Sequence, residues 1–192
     1  QPKCLKEEVQ SEFYGKSDIE YVINVTNSGI FTSKICDISH LQEVEQEWLL
    51  STSGTTGTPK LVSYNITSLM KTSKKDVTKG AHFRWGLCYD LNRFAGLQVY
   101  LQAIASGSPL TITESSDELT DIVKLFVDKN VTCMSATPSF WRKVLMTKGS
   151  ERLELKRITL GGEISDQTVL SSLKKHYERS HIVHIYASTE AG

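Results

Sequence analysis

A chain of 192 residues, 39% hydrophobic and 23% charged, is long enough for one globular domain or one large piece of a bigger one, and too apolar for a disordered tail. Its 22 basic and 22 acidic residues cancel to a formal net charge of zero, which argues against a generic nucleic-acid binder, since that function needs a basic excess. No apolar run approaches the ~20 residues of a membrane-spanning helix. The four cysteines, Cys4, Cys36, Cys88 and Cys133, have neither zinc nor redox spacing, so reduced thiols in a cytoplasmic protein are the expectation.

In chain order, residues 1–47 are charged and weakly patterned; Tyr21–Val25 reads as a strand and Ile38–Glu47 as a short helix. Trp48-Leu49-Leu50 reads as a short buried strand that runs into Ser51-Thr52-Ser53-Gly54-Thr55-Thr56-Gly57-Thr58-Pro59-Lys60, a stretch with no large apolar residue and therefore a loop. Leu61–Tyr64 is the next strand. Asn65 caps a helix expected to run to about Lys79, whose lysines (Lys71, Lys74, Lys75, Lys79) read as a solvated face.

Phe94–Ser106 has an apolar helical pattern and stops at Gly107-Ser108-Pro109. Leu110–Ile112 is a strand candidate, and Ser115 with Glu118 has capping-box spacing ahead of a helix with Leu119, Ile122, Val123 and Phe126 on one face. Val131–Ser135 reads as a strand. Thr137-Pro138 is a cap and first-turn pair before the stripe Phe140, Trp141, Val144, Leu145. Ile158–Leu160 is a strand closed by Gly161-Gly162, Ser165–Arg179 a helix with Val169, Leu170, Leu173 and Tyr177 inward, and Ile182–Tyr186 the last strand. The alternation predicts an α/β fold, a mostly parallel sheet flanked by helices. Ligands of such sheets sit beyond the carboxyl ends of the strands. The loops at 51–60, 161–163 and 187–190 each follow a predicted strand, so a single shared site is expected.

The first of these loops has the chemistry of a phosphate cradle. Its glycines let backbone N–H groups approach oxyanions, its hydroxyls add donors, and Lys60 adds a point charge. It is not a Walker loop: Gly54 and Gly57 are three apart, Pro59 precedes the lysine, and a strand rather than a helix follows. A plain Gly/Thr linker would not need an apolar strand on each side.

The string Leu50–Lys60 resembles the signature loop of the adenylate-forming superfamily, which contains acyl- and aryl-CoA synthetases, nonribosomal peptide adenylation domains and luciferases. Leu160-Gly161-Gly162-Glu163 is similar to that family's Gly-Gly-Glu turn, and Ile185-Tyr186-Ala187-Ser188-Thr189-Glu190 to its Tyr-Gly-x-Thr-Glu motif. The resemblance covers roughly 48–192 and implies part of the large N-terminal, AMP-binding domain. The ribose-binding aspartate and the small C-terminal domain with its lysine are expected beyond Gly192, and this chain alone is expected not to turn over.

By that resemblance, Thr52, Ser53, Gly54, Thr55, Thr56, Gly57 and Lys60 would hold the ATP β- and γ-phosphates. Gly161, Gly162 and Glu163 would line the adenine pocket, and Tyr186 would stack on the base. Ala187 and Ser188 lead to Thr189 at the α-phosphate, and Glu190 would bind Mg2+. The implied reaction is ATP-dependent activation of a small carboxylic acid, followed by transfer to the thiol of coenzyme A or of a phosphopantetheine arm on an acyl or peptidyl carrier protein. Leu61 and Ala187 stand where the family has glycine, which keeps a non-catalytic nucleotide-binding protein as an alternative. Tyr89–Leu97 falls at the acid-binding helix. A register on Gly96 puts Arg93 at the gating-histidine position of acyl-CoA synthetases, with Phe94 beside it. A register on Tyr89-Asp90 gives Asp90 the role of meeting an amino acid's ammonium. The distance to Gly107 favours the first; a local Asp90–Arg93 ion pair or helix cap is the structural alternative. His176, His181 and His184 lack metal-site spacing, and His184 reads as a buried or edge-strand histidine.

Overall fold

The computed structural model describes residues 21–26, 29–34, 47–51, 61–113 and 117–185. Two antiparallel hairpins come first. Strands β1 (Tyr21–Thr26) and β2 (Gly29–Lys34) pair from Tyr21↔Lys34 to Thr26↔Gly29. Strands β3 (Glu47–Ser51) and β4 (Leu61–Asn65) pair from Glu47↔Asn65 to Ser51↔Leu61. The expected helix at 38–47 falls outside the described residues except Glu47, which is in β3. Strand β3 is less buried than its apolar sequence suggests: Leu50 is buried, while Trp48 and Leu49 are exposed.

The long helix expected from Asn65 to Lys79 is instead two single turns, α1 (Ile66–Leu69) and α2 (Val77–Gly80). Asn65 does cap the first, its Oδ1 accepting from Ser68 N–H at 2.7 Å. The break has a local cause and a tertiary one. Asp76 caps a new turn at Lys79 N–H (3.0 Å), offering the backbone an alternative to helix. Between the turns, Gln98 donates to the Leu69 carbonyl (2.9 Å), and Gln102 both accepts from Lys74 N–H (3.0 Å) and donates to the Lys74 carbonyl (3.1 Å). Those backbone groups are satisfied without helical bonds.

Strand β5 (Trp85–Leu87), helix α3 (Phe94–Ala105), β6 (Leu110–Ile112), α4 (Leu119–Asp128), β7 (Cys133–Ala136), α5 (Pro138–Met146), β8 (Arg157–Leu160), α6 (Gln167–His176) and β9 (His181–His184) complete the described chain, with a 3₁₀ turn at Ser150–Arg152. The five strands form one parallel sheet in the order β6-β5-β7-β8-β9. The expected parallel α/β sheet is therefore observed. Its order is the doubly wound 2-1-3-4-5 arrangement, in which the chain reverses direction across the sheet between β5 and β7 and opens a crevice at their carboxyl ends.

Each face is covered, as a parallel sheet requires. Met134, Ala136, Ile158 and Leu160 pack with Val123 and Phe126 of α4, Trp141 and Val144 of α5, and Val169 and Leu173 of α6. Trp85, Leu87 and Cys133 pack with Val99 and Ala103 of α3 on the other face. Leu97 and Leu101 of α3 also bury against Leu50 and Leu69, which ties the β3–β4 hairpin to the sheet. Gly86 is held close to α4: a Cβ there would stand 2.8 Å from the Phe126 ring.

The stripes expected on α4, α5 and α6 face the core as read. The Ser115–Glu118 capping box does not form as expected: Glu118 is itself the N-cap residue of α4 and makes no side-chain cap bond, while Ser115 lies outside the described residues. Strand β5 has no counterpart in the sequence reading. Among the described residues Cys88 and Cys133 are free thiols, and no helix is long and apolar enough to cross a membrane.

Candidate functional site

The carboxyl ends of β5, β7 and β8 bring three short segments together. Tyr89 follows β5, Thr137 follows β7, and Gly161-Gly162-Glu163 follows β8. The Gly161–Glu163 turn is built to be rigid. Gly162 has φ +79°, the left-handed region that a side-chain-bearing residue rarely adopts. The Tyr89 hydroxyl donates to the Gly161 carbonyl from two strands away, at 3.2 Å. Burial pushes the Tyr89 phenol up to about 12, so it is a neutral donor at any physiological pH.

Glu163 is anchored at the start of α5. Thr137 caps that helix, its Oγ1 accepting from Phe140 N–H at 3.1 Å, and Pro138 occupies the first turn. The next N–H, that of Ser139, donates to Glu163 Oε2 at 3.0 Å. A carboxylate at a helix N-terminus satisfies an orphan donor and meets the positive end of the helix dipole. Hydrogen bonds from the Ser139 side chain and backbone accordingly hold the Glu163 carboxyl below its ordinary value, with a smaller contribution from the Arg142 charge. Arg142 in turn pairs with Asp166, the cap of α6, at 2.7 Å. The turn after β8 is thus fastened to the helix before it and, through Arg142, to the helix after it.

Asp90 and Arg93 begin the segment that leads into α3. Both are exposed. Asp90 closes a local turn, its Oδ1 accepting from Asn92 N–H at 2.9 Å and its carbonyl from Arg93 N–H at 3.0 Å. Arg93 is the N-cap residue of α3 without a side-chain cap bond, and it forms no ion pair with Asp90. The Asp90 carboxylate therefore keeps one oxygen available beside the crevice. Phe94 is half-buried and stacks on Tyr64 of the β3–β4 hairpin, ring centroids 5.6 Å apart. Gly96 has a packing reason: a Cβ there would lie 2.1 Å from the Asp90 carbonyl oxygen.

The expected phosphate loop, Thr52, Ser53, Gly54, Thr55, Thr56, Gly57 and Lys60, lies outside the described residues, as do Tyr186, Ala187, Ser188, Thr189 and Glu190. Their flanks are described. Ser51 and Leu61 are paired partners at the end of the β3–β4 hairpin, so the loop joins two strands of a separate antiparallel sheet and not two strands of the parallel one. The loop follows a strand, as expected, and that strand belongs to the β3–β4 hairpin. The segment 186–190 follows β9, the strand paired with β8, and Ile185, the residue before it, is bonded to the end of the strand that leads into the Gly161–Glu163 turn: its N–H donates to the Leu160 carbonyl at 2.8 Å. His184 is exposed on this outer strand, as an edge histidine. Sequence reading missed the supporting roles of Tyr89 and Ser139, which have no linear motif and are recognisable only once β5, β7 and β8 are adjacent.

Residues 37–192 match the AMP-binding enzyme family. The chain belongs to that family. Among characterised relatives, nonribosomal peptide synthetase inpB of Emericella nidulans is 29% identical over 147 residues, which is 74% of this chain and 6% of that protein. Among solved structures, IdnL1 superposes with TM-score 0.74 at 14% identity over 99% of this chain and 44% of its own. The Klebsiella oxytoca NpsA N-terminal subdomain, solved with 3-hydroxybenzoyl-AMSN, gives TM-score 0.65 at 19% identity over 74% of this chain and 37% of its own. The chain thus spans less than half the length of each of these three proteins. At these identities the two structures establish the fold.

Proposed function

We propose that this chain is the nucleotide- and acid-binding part of an enzyme that activates a small carboxylic acid with ATP. The carboxylate oxygen attacks the α-phosphorus, the bond to the β-phosphate breaks, and acyl-adenylate and pyrophosphate form. A thiol then attacks the acyl carbonyl, AMP leaves, and a thioester remains. The observation that carries this reading is the fastened Gly161–Glu163 turn beside the end of β9, within a family match that includes the Ser53–Lys60 loop.

In this proposal the turn is the wall against which adenine rests, with Tyr186 stacked on the base. Its rigidity is the useful property: a preorganised wall does not lose conformational freedom when the nucleotide binds. Thr52, Ser53, Gly54, Thr55, Thr56, Gly57 and Lys60 offset charge on the leaving pyrophosphate, and Thr189 contacts the α-phosphate. Among the described residues no three His, Cys, Asp or Glu side chains are grouped to hold a metal. A magnesium ion, which keeps most of its waters and takes one or two carboxylates with phosphate oxygens, would rest on Glu190.

The acceptor in our reading is coenzyme A. A second reading, an amino-acid-activating domain that serves a carrier protein, is favoured by the match to a nonribosomal peptide synthetase and by the exposed Asp90 carboxylate at the crevice. Acid-dependent exchange of labelled pyrophosphate into ATP, run on the full-length protein against aryl, alkyl and amino acids, tests both. Exchange with aryl or alkyl acids supports the first reading, and exchange with amino acids that is lost in Asp90→Ala supports the second. No exchange with any carboxylate overturns acid activation.

A further inference from the structure

Trp85, Cys133, Arg157 and His181 form one row across four strands, because the register pairs Trp85 with Cys133, Cys133 with Arg157, and Arg157 with His181. Residues paired in this way on a parallel sheet project to the same face. For this row it is the face covered by α3. The row lies at the amino ends of the strands, the end opposite the Gly161–Glu163 turn.

Two donors in the row are buried with no acceptor: Trp85 Nε1 and Arg157 Nε. Trp85 is 7% exposed, so solvent does not serve its indole N–H. Native interiors leave few such groups unpaired, and each one asks for an explanation. The core's other buried indole is satisfied, Trp141 Nε1 donating to the Thr159 carbonyl at 3.1 Å.

The surroundings are cationic. Lys156 precedes Arg157, and its ammonium donates to the His82 carbonyl at 3.2 Å. Among the described residues neither Lys156 nor Arg157 is in an ion pair. The charges that act on the Cys133 thiol are those of Arg157 and Lys156, with no carboxylate among them, and burial still keeps it a neutral thiol, at about 11. The row is open on the β9 side, where Arg157 is half-buried and His181 exposed.

Two unpartnered donors and unpaired cations without a carboxylate are what an oxyanion requires. We propose that the amino-end row Trp85–Cys133–Arg157 is a binding site for a small phosphate-type oxyanion, held by the Arg157 guanidinium and the Trp85 indole N–H, with Lys156 supplying long-range attraction. The site shares no residue with the Ser53–Lys60 loop and does not depend on the reaction assigned above.

The test is a titration of the 192-residue chain with inorganic phosphate at constant ionic strength, followed by the tryptophan indole N–H cross-peaks in a ¹H–¹⁵N NMR spectrum. The chain has three tryptophans, Trp48, Trp85 and Trp141, and Trp85→Phe identifies the relevant peak by its loss. The expected result is a saturable shift of the Trp85 peak, weakened at least tenfold in Arg157→Gln and retained in Lys60→Ala. The Trp141 peak reports whether each variant keeps its core; if Arg157→Gln disturbs it, Arg157→Lys takes its place. A Trp85 peak that stays still through the wild-type titration overturns the site, leaving ordered water as the partner of both donors. A shift that is unchanged in the Arg157 variant, or abolished in Lys60→Ala, overturns it equally.

Discussion

Substituting Gly96 by alanine sets two well-known effects against each other. Alanine is the better helix former by about 1 kcal/mol in a helix interior, so propensity alone predicts that Gly96→Ala strengthens α3. Packing predicts the reverse. A Cβ at Gly96 would stand 2.1 Å from the Asp90 carbonyl oxygen, 2.7 Å from its carbon and 3.1 Å from Leu91 Cα, and all three are backbone atoms that cannot rotate away. Relief requires α3 to withdraw by about 1 Å in an interior that is close-packed. That movement would pull Leu97 and Leu101 out of their contacts with Leu50 and Leu69. Overpacking of this kind costs about 1–3 kcal/mol, so the net expectation is a loss of about 1 kcal/mol after the propensity gain is subtracted. Urea denaturation of the two proteins measures it, with a lower midpoint at unchanged slope as the signature. Equal or greater stability in Gly96→Ala would refute the claim that α3 touches the Asp90 backbone.

Thr137→Ala removes the cap of α5 and loosens the base on which Glu163 is fastened; a loss of about 1 kcal/mol in the same denaturation assay is expected, and a loss within error would count against the cap. Asp166 is held below its ordinary value of 3.8 by the Val169 N–H and then by Arg142. A lowered folded value contributes stability above pH 4 that disappears as pH falls through it, so melting temperatures of the wild type and Asp166→Asn should converge on acidification from neutral pH. Parallel curves would contradict this. Tyr89 and Tyr177 are both pushed up to about 12 by burial. The neutral phenol is the favoured folded form, so its contribution is complete below pH 10 and lost between 10 and 12. In an ultraviolet titration of the folded chain these two phenols should ionise late, towards pH 12, and Tyr89→Phe should remove one late phenol.

The parts legible in the sequence are those where a local rule and the tertiary structure agree. Thr137-Pro138 announced α5, Asn65 announced α1, and the apolar stripes of α4, α5 and α6 pointed to the core that they enter. Other features depend on contacts between distant residues. The break after Leu69 relies on Gln98 and Gln102, which are remote in sequence. Strand β5 is three residues with a central glycine, Trp85-Gly86-Leu87, and its glycine is there because Phe126 of α4 lies against it; neither alternation nor β-propensity marks it. At the site, the Gly-Gly-Glu turn was readable as a motif. Its fastening was not, because the donors Tyr89 and Ser139 are brought to it only by the order of β5, β7 and β8.

The proposed function requires a magnesium–ATP complex held through the Ser53–Lys60 loop. Calorimetric titration of the wild type, Thr56→Ala and Lys60→Ala with ATP and magnesium tests it most directly. Saturable binding to the wild type is expected, with binding at least tenfold weaker in Lys60→Ala and a smaller loss in Thr56→Ala. Equal affinity in all three proteins would contradict it.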